Sequence, residues 1–450
     1  MKIKYILLGW IFLASSCNYL EVTPKGKVIP SSLSELRAMM NSAYSKYPSV
    51  LRLLTMRSDE GIPNPNGLVF SNYKDIAIWN DKGKDAATFE FPYTQFYNII
   101  FYCNDVIEKA GEAEKDSPNE TREQLKGEAL LMRAYTYFTL LNLYTRPYIP
   151  GQNGKEKGIP LALQIDIGQE FERQSIEAVY EQILNDISLG SSLLQIETQP
   201  AATRYRFSKA SAKALEIRVR LFKCEWKEVV ELTKELLPTL RLENLNAAEH
   251  ILPFRFDSQE SLLALETGGQ DFVNGEISVN PSFAELYNTE KHDTIYNDRR
   301  ANTYIAASWA GLFPNKGMKK EERCGLRASE VWLSAAEAYV RTEDISGAKK
   351  LLKDFLKNRL SRYYLPVIST EIDNMDKTGL IRAILDERGR ELAFEGMRWF
   401  DLRRTERPAL AKTFTDSEFN EIKGELQKDD PRYTLPFPKE AVTANPHLVD

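Results

Sequence analysis

The sequence predicts a mainly α protein with paired helices at tetratricopeptide-type spacing and two long irregular stretches. Three observations predict it. Apolar residues recur at helical spacing over much of the chain, one helix pair carries small residues and aromatics at the tetratricopeptide spacing, and two long stretches have no periodicity.

The chain opens with Lys2 and Lys4, an apolar run from Tyr5 to Leu13, and Ala14-Ser15-Ser16 directly before Cys17. A charged start, a short apolar run and small residues at a cleavage point make an export signal over residues 1–16, too short to persist as a spanning helix. Small residues running into a cysteine look like a lipobox, so Cys17 is the expected lipidation site; a plain secretory peptide is the alternative. Each buried acyl methylene adds about 0.8 kcal/mol of membrane affinity, so two or three chains would hold residues 17–450 on a bilayer surface.

Hydrophobic residues at 43% and charged residues at 27% place the chain in the globular range. A net charge of −5 with no basic cluster argues against a nucleic-acid partner. After Cys17 only Cys103, Cys224 and Cys324 remain, without C-x-x-C spacing, so at most one disulfide can form and packing must supply stability.

Residues 121–144 place Leu130, Ala134, Phe138 and Leu141 on one helical face, and Tyr137, Leu140 and Tyr144 on a second. A helix with two apolar faces is packed on both sides. Helices are also expected at 174–194, 208–223, 226–240, 329–341, 346–360 and 379–403, with strand-like alternation confined to pieces such as Leu262–Leu265. In 330–358, Trp332, Ala336, Tyr339, Ala348, Leu352 and Phe355 match the tetratricopeptide pattern, in which small residues let two helices approach and an aromatic fills the groove between them. The segment 208–240 repeats the scheme loosely, and 122–144 with 174–194 is a third candidate pair, interrupted by the Pro/Gly-rich connection Pro147–Pro160. Ordinary helical hairpins are the alternative.

The stretches without periodicity are Gly61–Thr94, with Phe70, Tyr73 and Trp79, and Thr267–Arg323, with Tyr287, Tyr296, Tyr304 and Trp309. Loops of this length are usually functional. A sugar ring stacks its apolar face on an aromatic side chain while its hydroxyls need fixed polar partners. Tyr73, Trp79, Tyr304 and Trp309 are therefore the candidate stacking residues, with Asn80 and Asp81 as polar partners.

Catalytic signatures are missing. The histidines His250, His292 and His447 have no metal-ligand spacing, and neither H-E-x-x-H, G-x-S-x-G nor a phosphate-cradling glycine loop occurs. No catalytic residue, metal ligand or cofactor is expected. The densest charged stretch, Asp386-Glu387-Arg388-Gly389-Arg390-Glu391 through Arg398, Asp401, Arg403 and Arg404, is interleaved with Leu392, Phe394, Trp399, Phe400 and Leu402. Arg and Glu three or four apart pair on a helix, and apolar neighbours would bury those pairs, giving a charge network that locks a C-terminal helix.

The segment ILDERGRELAFEGMRWFDLRRT, residues 384–405, resembles the C-terminal signature of the SusD/RagB family of Bacteroidota outer-membrane lipoproteins. Other landmarks follow in order: CNYLEVTPKG at 17–26, QFYNIIFYCNDVIEKA at 95–110, KGEALLMRAYTYFTLLNLYTRPY at 126–148, YNDRRANTYI at 296–305, CGLRASEVWLSAAEAYVR at 324–341 and LPFPKEAVTANPHL at 435–448. The resemblance implies a single SusD-like domain over 17–450, mainly α, in which tetratricopeptide-type helix pairs (an α-α superhelix) support a loop-rich ligand face. Within it lie early helices and a loop (17–120), helical repeats within 121–240 and 329–360, an irregular ligand-face region (241–323), and a signature helix with a Pro-rich tail (379–450). It also implies a surface-exposed, non-catalytic lipoprotein of the outer membrane that captures oligosaccharides for a partner TonB-dependent transporter of the SusC type. Peptide capture, as on the RagB side of the family, is the nearest alternative, and a surface glycoside hydrolase is the alternative from another class.

Overall fold

The helix Arg122–Tyr144 is buried along nearly its whole length, so its two apolar faces are both used. It lies against Ile176–Leu193 at a glycine crossing. A Cβ on Gly127 would meet the Gly190 carbonyl oxygen at 2.8 Å, and one on Gly190 would meet Leu131 at 2.9 Å. Only glycine at both positions allows that approach.

The structure is a computed structural model that describes residues 30–165, 171–267, 275–287, 298–309, 311–317, 319 and 321–449. The expected signal segment, Cys17, His292 and Tyr296 lie outside the described residues. The amino-terminal part contains α1 (Leu33–Ser45), α2 (Leu51–Arg57), β1 (Gly61–Pro63), α3 (Phe70–Ala77), α4 (Thr94–Lys109) and α5 (Arg122–Tyr144). After these come β2 (Lys157–Pro160), β3 (Arg173–Ser175), α6 (Ile176–Leu193), α7 (Lys209–Phe222), α8 (Trp226–Leu236), β4 (Ser261–Thr267), β5 (Ile277–Val279), α9 (Pro281–Ala284), α10 (Ala301–Tyr304), β6 (Ile305–Ser308), β7 (Gly311–Pro314) and β8 (Arg323–Arg327). The carboxyl-terminal part holds α11 (Ala328–Arg341), α12 (Ile345–Leu356), α13 (Leu365–Asn374), α14 (Lys377–Glu391), α15 (Met397–Arg404), β9 (Leu410–Thr415), β10 (Glu421–Leu426) and α16 (Lys439–Ala444).

The helical pairs predicted by spacing are present: α5 packs on α6, α7 on α8 and α11 on α12, with α11 also touching α7, α8 and α14. Ala336 and Ala348 are buried between α11 and α12, and Leu352 and Phe355 fill the space beside them. Thr121, Ser175 and Ser208 cap α5, α6 and α7, each accepting a backbone N–H three residues on.

Several boundaries differ from the sequence reading. The segment 379–403 is not one helix: α14 ends at Glu391, Phe394 and Gly396 take φ of +61° and +75°, and α15 starts at Met397. The Phe394 N–H donates to buried Glu60 at 2.7 Å, a partner that periodicity along the segment cannot reveal. The helix at 226 stops at Leu236 because Pro238 cannot continue it. Both aperiodic stretches contain regular elements, α3 and β1 in the first and β5, β6 and β7 in the second.

Those two stretches meet. β1 pairs antiparallel with β5, matching Gly61 to Val279 and Pro63 to Ile277, and Asn64 donates its backbone N–H to the Glu276 carbonyl at 3.0 Å. The β6–β7 hairpin lies against β5, and the β9–β10 hairpin reaches β1 and α3, with Phe414 edge-on to Phe70. The charge-rich C-terminal stretch is buried as expected. Glu387–Arg390 and Asp401–Arg404 pair locally, while Glu391 gathers Arg300, Arg327 and Arg359 from other elements.

Candidate functional site

Beyond α3 the chain turns sharply. Trp79 takes φ +57°, a left-handed conformation rare for a bulky residue, and the Asn80 N–H closes the turn on the Asp75 carbonyl at 2.9 Å. The turn sends the indole inward, where its N–H donates to the Arg57 carbonyl at 2.8 Å and Lys412 Nζ sits 5.1 Å from its centroid. Trp79 is 1% exposed, so the expectation of a stacking platform there is corrected.

Tyr73 and Tyr304 are corrected likewise. Tyr73 is buried edge-on to Phe89, with ring centroids 5.1 Å apart. Tyr304 packs edge-on against Phe254 at 5.3 Å, carries Lys316 Nζ 3.9 Å from its centroid and donates its hydroxyl to Glu391 at 3.4 Å. Trp79 and Tyr304 serve the core because polar partners from distant segments, the Arg57 carbonyl and Glu391, complete their burial, and Tyr73 does so by packing on Phe89. Trp309 alone among the four is open, 100% exposed at the tip of the β6–β7 hairpin.

The two polar candidates come together. Asn80 and Asp81, with Ile78, Lys82 and the edge of the otherwise buried Trp79, form one wall of a groove of about 880 Å³ whose other wall is Asp430, Pro431, Arg432, Thr434, Leu435 and Pro436. Asn80 donates to Asp75 at 3.1 Å and accepts the Gly83 N–H at 3.2 Å, which fixes its amide. Asp81 receives both terminal nitrogens of Arg57 at 2.7 Å. Across the groove, Arg432 clamps Asp430 at 3.0 and 2.7 Å. That hydrogen bonding holds the Asp430 carboxyl down at about 2.

Sequence reasoning missed Arg57, Asp430, Arg432 and Thr434. Arg57 stands 24 residues from Asp81 and 375 from Arg432, whose carbonyl it also reaches, so no local spacing could have shown the set.

Two bidentate arginine–carboxylate pairs are rigid and leave lone pairs and N–H groups at fixed positions. With Asn80, Lys82 and Thr434 they offer donors and acceptors beside the apolar surface of Ile78, Leu435 and Pro436, which suits a ligand with both hydroxyls and an apolar face. Both carboxylates of this groove are locked to arginines. Among the described residues there is no group of three His, Cys, Asp or Glu that could hold a metal ion, and no helix long and apolar enough to cross a membrane.

The chain is similar to known proteins over nearly its whole length. A family model described as "Starch-binding associating with outer membrane" matches residues 18–221, and the SusD family model matches residues 269–450. A SusD-like protein P2 from Formosa agariphila is 24% identical over 90% of each chain. Among solved structures, a SusD superfamily protein from Bacteroides fragilis superposes with TM-score 0.74 at 21% identity, covering 94% of this chain and 100% of that one. A SusD-like carbohydrate binding protein from Bacteroides vulgatus gives 0.66 at 16% identity over 93% and 98%. A laminarin binding SusD-like protein gives 0.61 at 18% identity over 83% and 92%. The two family models, matched in succession over residues 18–221 and 269–450, show that the chain belongs to the SusD/RagB family.

Proposed function

We propose that this protein is a non-catalytic, lipid-anchored capture protein on the outer face of the outer membrane, which binds an oligosaccharide in the groove between Ile78–Lys82 and 430–436 and delivers it to a SusC-like TonB-dependent transporter. The carrying observation is the pairing of two fixed arginine–carboxylate clamps with an apolar surface in one groove of about 880 Å³. A glycan's hydroxyls need preset partners, and the two arginine–carboxylate clamps are held in place before a ligand arrives. Trp309, fully exposed on the β6–β7 hairpin, is proposed as a separate stacking surface. The match of residues 18–221 to a family model described as starch-binding, and the laminarin binding neighbour, support a glycan over a peptide.

The test is a glycan array run beside a peptide panel, followed by a reducing-end assay on every glycan that binds. The proposal expects glycan binding without release of reducing ends. Binding to peptides alone would favour peptide capture, and release of reducing ends would make the protein a hydrolase.

A further inference from the structure

The groove's two walls are joined through one buried side chain. Arg57 ends α2 with its guanidinium almost wholly out of solvent. Its two terminal nitrogens hold the two Asp81 oxygens at 2.7 Å, and one of them also donates to the Arg432 carbonyl at 2.6 Å. The Arg57 Nε has no hydrogen-bond partner among the described residues, so all of its hydrogen bonding goes to the walls. From below, the guanidinium lies 5.3 Å from the centroid of Trp399 in α15, and Trp399 stacks on Tyr433 with centroids 4.9 Å apart and planes 17° from parallel. Tyr433 sits between Arg432 and Thr434, and its carbonyl accepts Arg403 Nε at 3.1 Å. The residues that carry the C-terminal signature thus support the same wall that Arg57 ties to Asp81.

We propose that Arg57 is a positioning residue that fixes the two groove walls relative to each other and couples their order to α15. A buried guanidinium cannot leave its partners without stranding its charge, so the walls keep their spacing as long as Arg57 keeps both bonds. Lysine would keep the charge but not the fork that reaches two walls at once. Removing Asp81 cuts only one of the two ties. The inference goes beyond ligand binding itself, and because it concerns wall order, its failure is separable from a failure of glycan capture.

Hydrogen–deuterium exchange of the purified full chain reads wall order with no ligand present. For Arg57→Lys, exchange is expected to rise about tenfold in peptides covering 78–83 and 430–436, the factor a lost charged hydrogen bond gives, and to stay unchanged in α11. For Asp81→Asn, the rise is expected in 78–83 alone. Should Arg57→Lys fail to fold, Asp81→Asn still decides. A rise confined to one wall in Arg57→Lys, no rise in either wall, equal loosening of both walls in Asp81→Asn, or a uniform rise through the chain would each overturn the proposal.

Discussion

Arg359 and Glu391 meet at 2.9 Å with both side chains completely buried. Arg327 and Arg300 reach the same carboxylate at 2.6 and 3.1 Å, and these cations hold it well below the usual carboxylate range despite the opposing effect of burial. One anion therefore joins the end of α14 to β8, to the turn after α12 and to the segment before α10.

Replacing that anion should be costly. Glu391→Gln keeps the shape but leaves three buried guanidinium groups short of charge, and breaking a buried pair typically costs about 3–5 kcal/mol. Urea denaturation of parent and variant measures it. A loss below about 1 kcal/mol, the level of a surface pair, would show that the network is not what holds these elements together.

The two tryptophans of the irregular segments should behave oppositely. Trp79→Ala removes a buried ring and strands the Arg57 carbonyl, so a loss of about 3–5 kcal/mol is expected. Trp309→Ala removes a fully exposed ring and should stay within about 0.5 kcal/mol of the parent. Thermal melts of the pair check the contrast, and equal midpoints would contradict the burial described for Trp79.

Lys412 offers a pH signature. Burial, the largest influence, pushes its ammonium down to about 7, while Asp59 and Glu60 oppose and Arg57 reinforces the shift. The folded state then binds fewer protons than the unfolded chain between pH 7 and an unfolded value near 10.5, so this group's contribution to stability rises with pH across that window. Neighbouring Glu60, raised to about 7 mainly by burial, acts in the opposite sense as pH climbs toward 7 and is already ionised above it. Between pH 7.5 and 9, Lys412→Met should abolish a rise of up to about 1.4 kcal/mol per pH unit that the parent shows. Equal slopes in the two proteins would rule Lys412 out as the titrating group.

Cys17→Ser should release the exported protein from membranes into the soluble fraction, given the small residues Ala14-Ser15-Ser16 before the cysteine. Fractionation after a high-salt wash decides the matter. Unchanged pelleting of the variant would refute lipidation at this position.

Helix pairs were legible because their information is local: Ala336 and Ala348 lie where helical spacing puts small residues, and both are buried. The break after Glu391 was not, since it depends on Glu60, 334 residues from Phe394. Of the proposed site, Asn80 and Asp81 were named from sequence because amide and carboxylate stand in an aperiodic segment, and both line the one groove. Trp79 was misjudged for the same reason: nothing in a loop's sequence shows whether a ring turns out to solvent or in toward a distant carbonyl. Arg432 and Asp430 sit in a tail whose only sequence signal is proline, and their role appears once the tail folds back over the turn after α3.

The most direct test is calorimetric titration of Arg432→Ala and the parent with the tightest glycan from the array. Arg432 is a partly exposed groove residue, so the variant should keep a near-parent melting temperature. Losing its charged hydrogen bonds should weaken affinity by at least about tenfold, from the 1.5–3 kcal/mol such bonds typically contribute. A stable Arg432→Ala protein that binds the glycan as tightly as the parent would contradict the placement of the ligand in this groove.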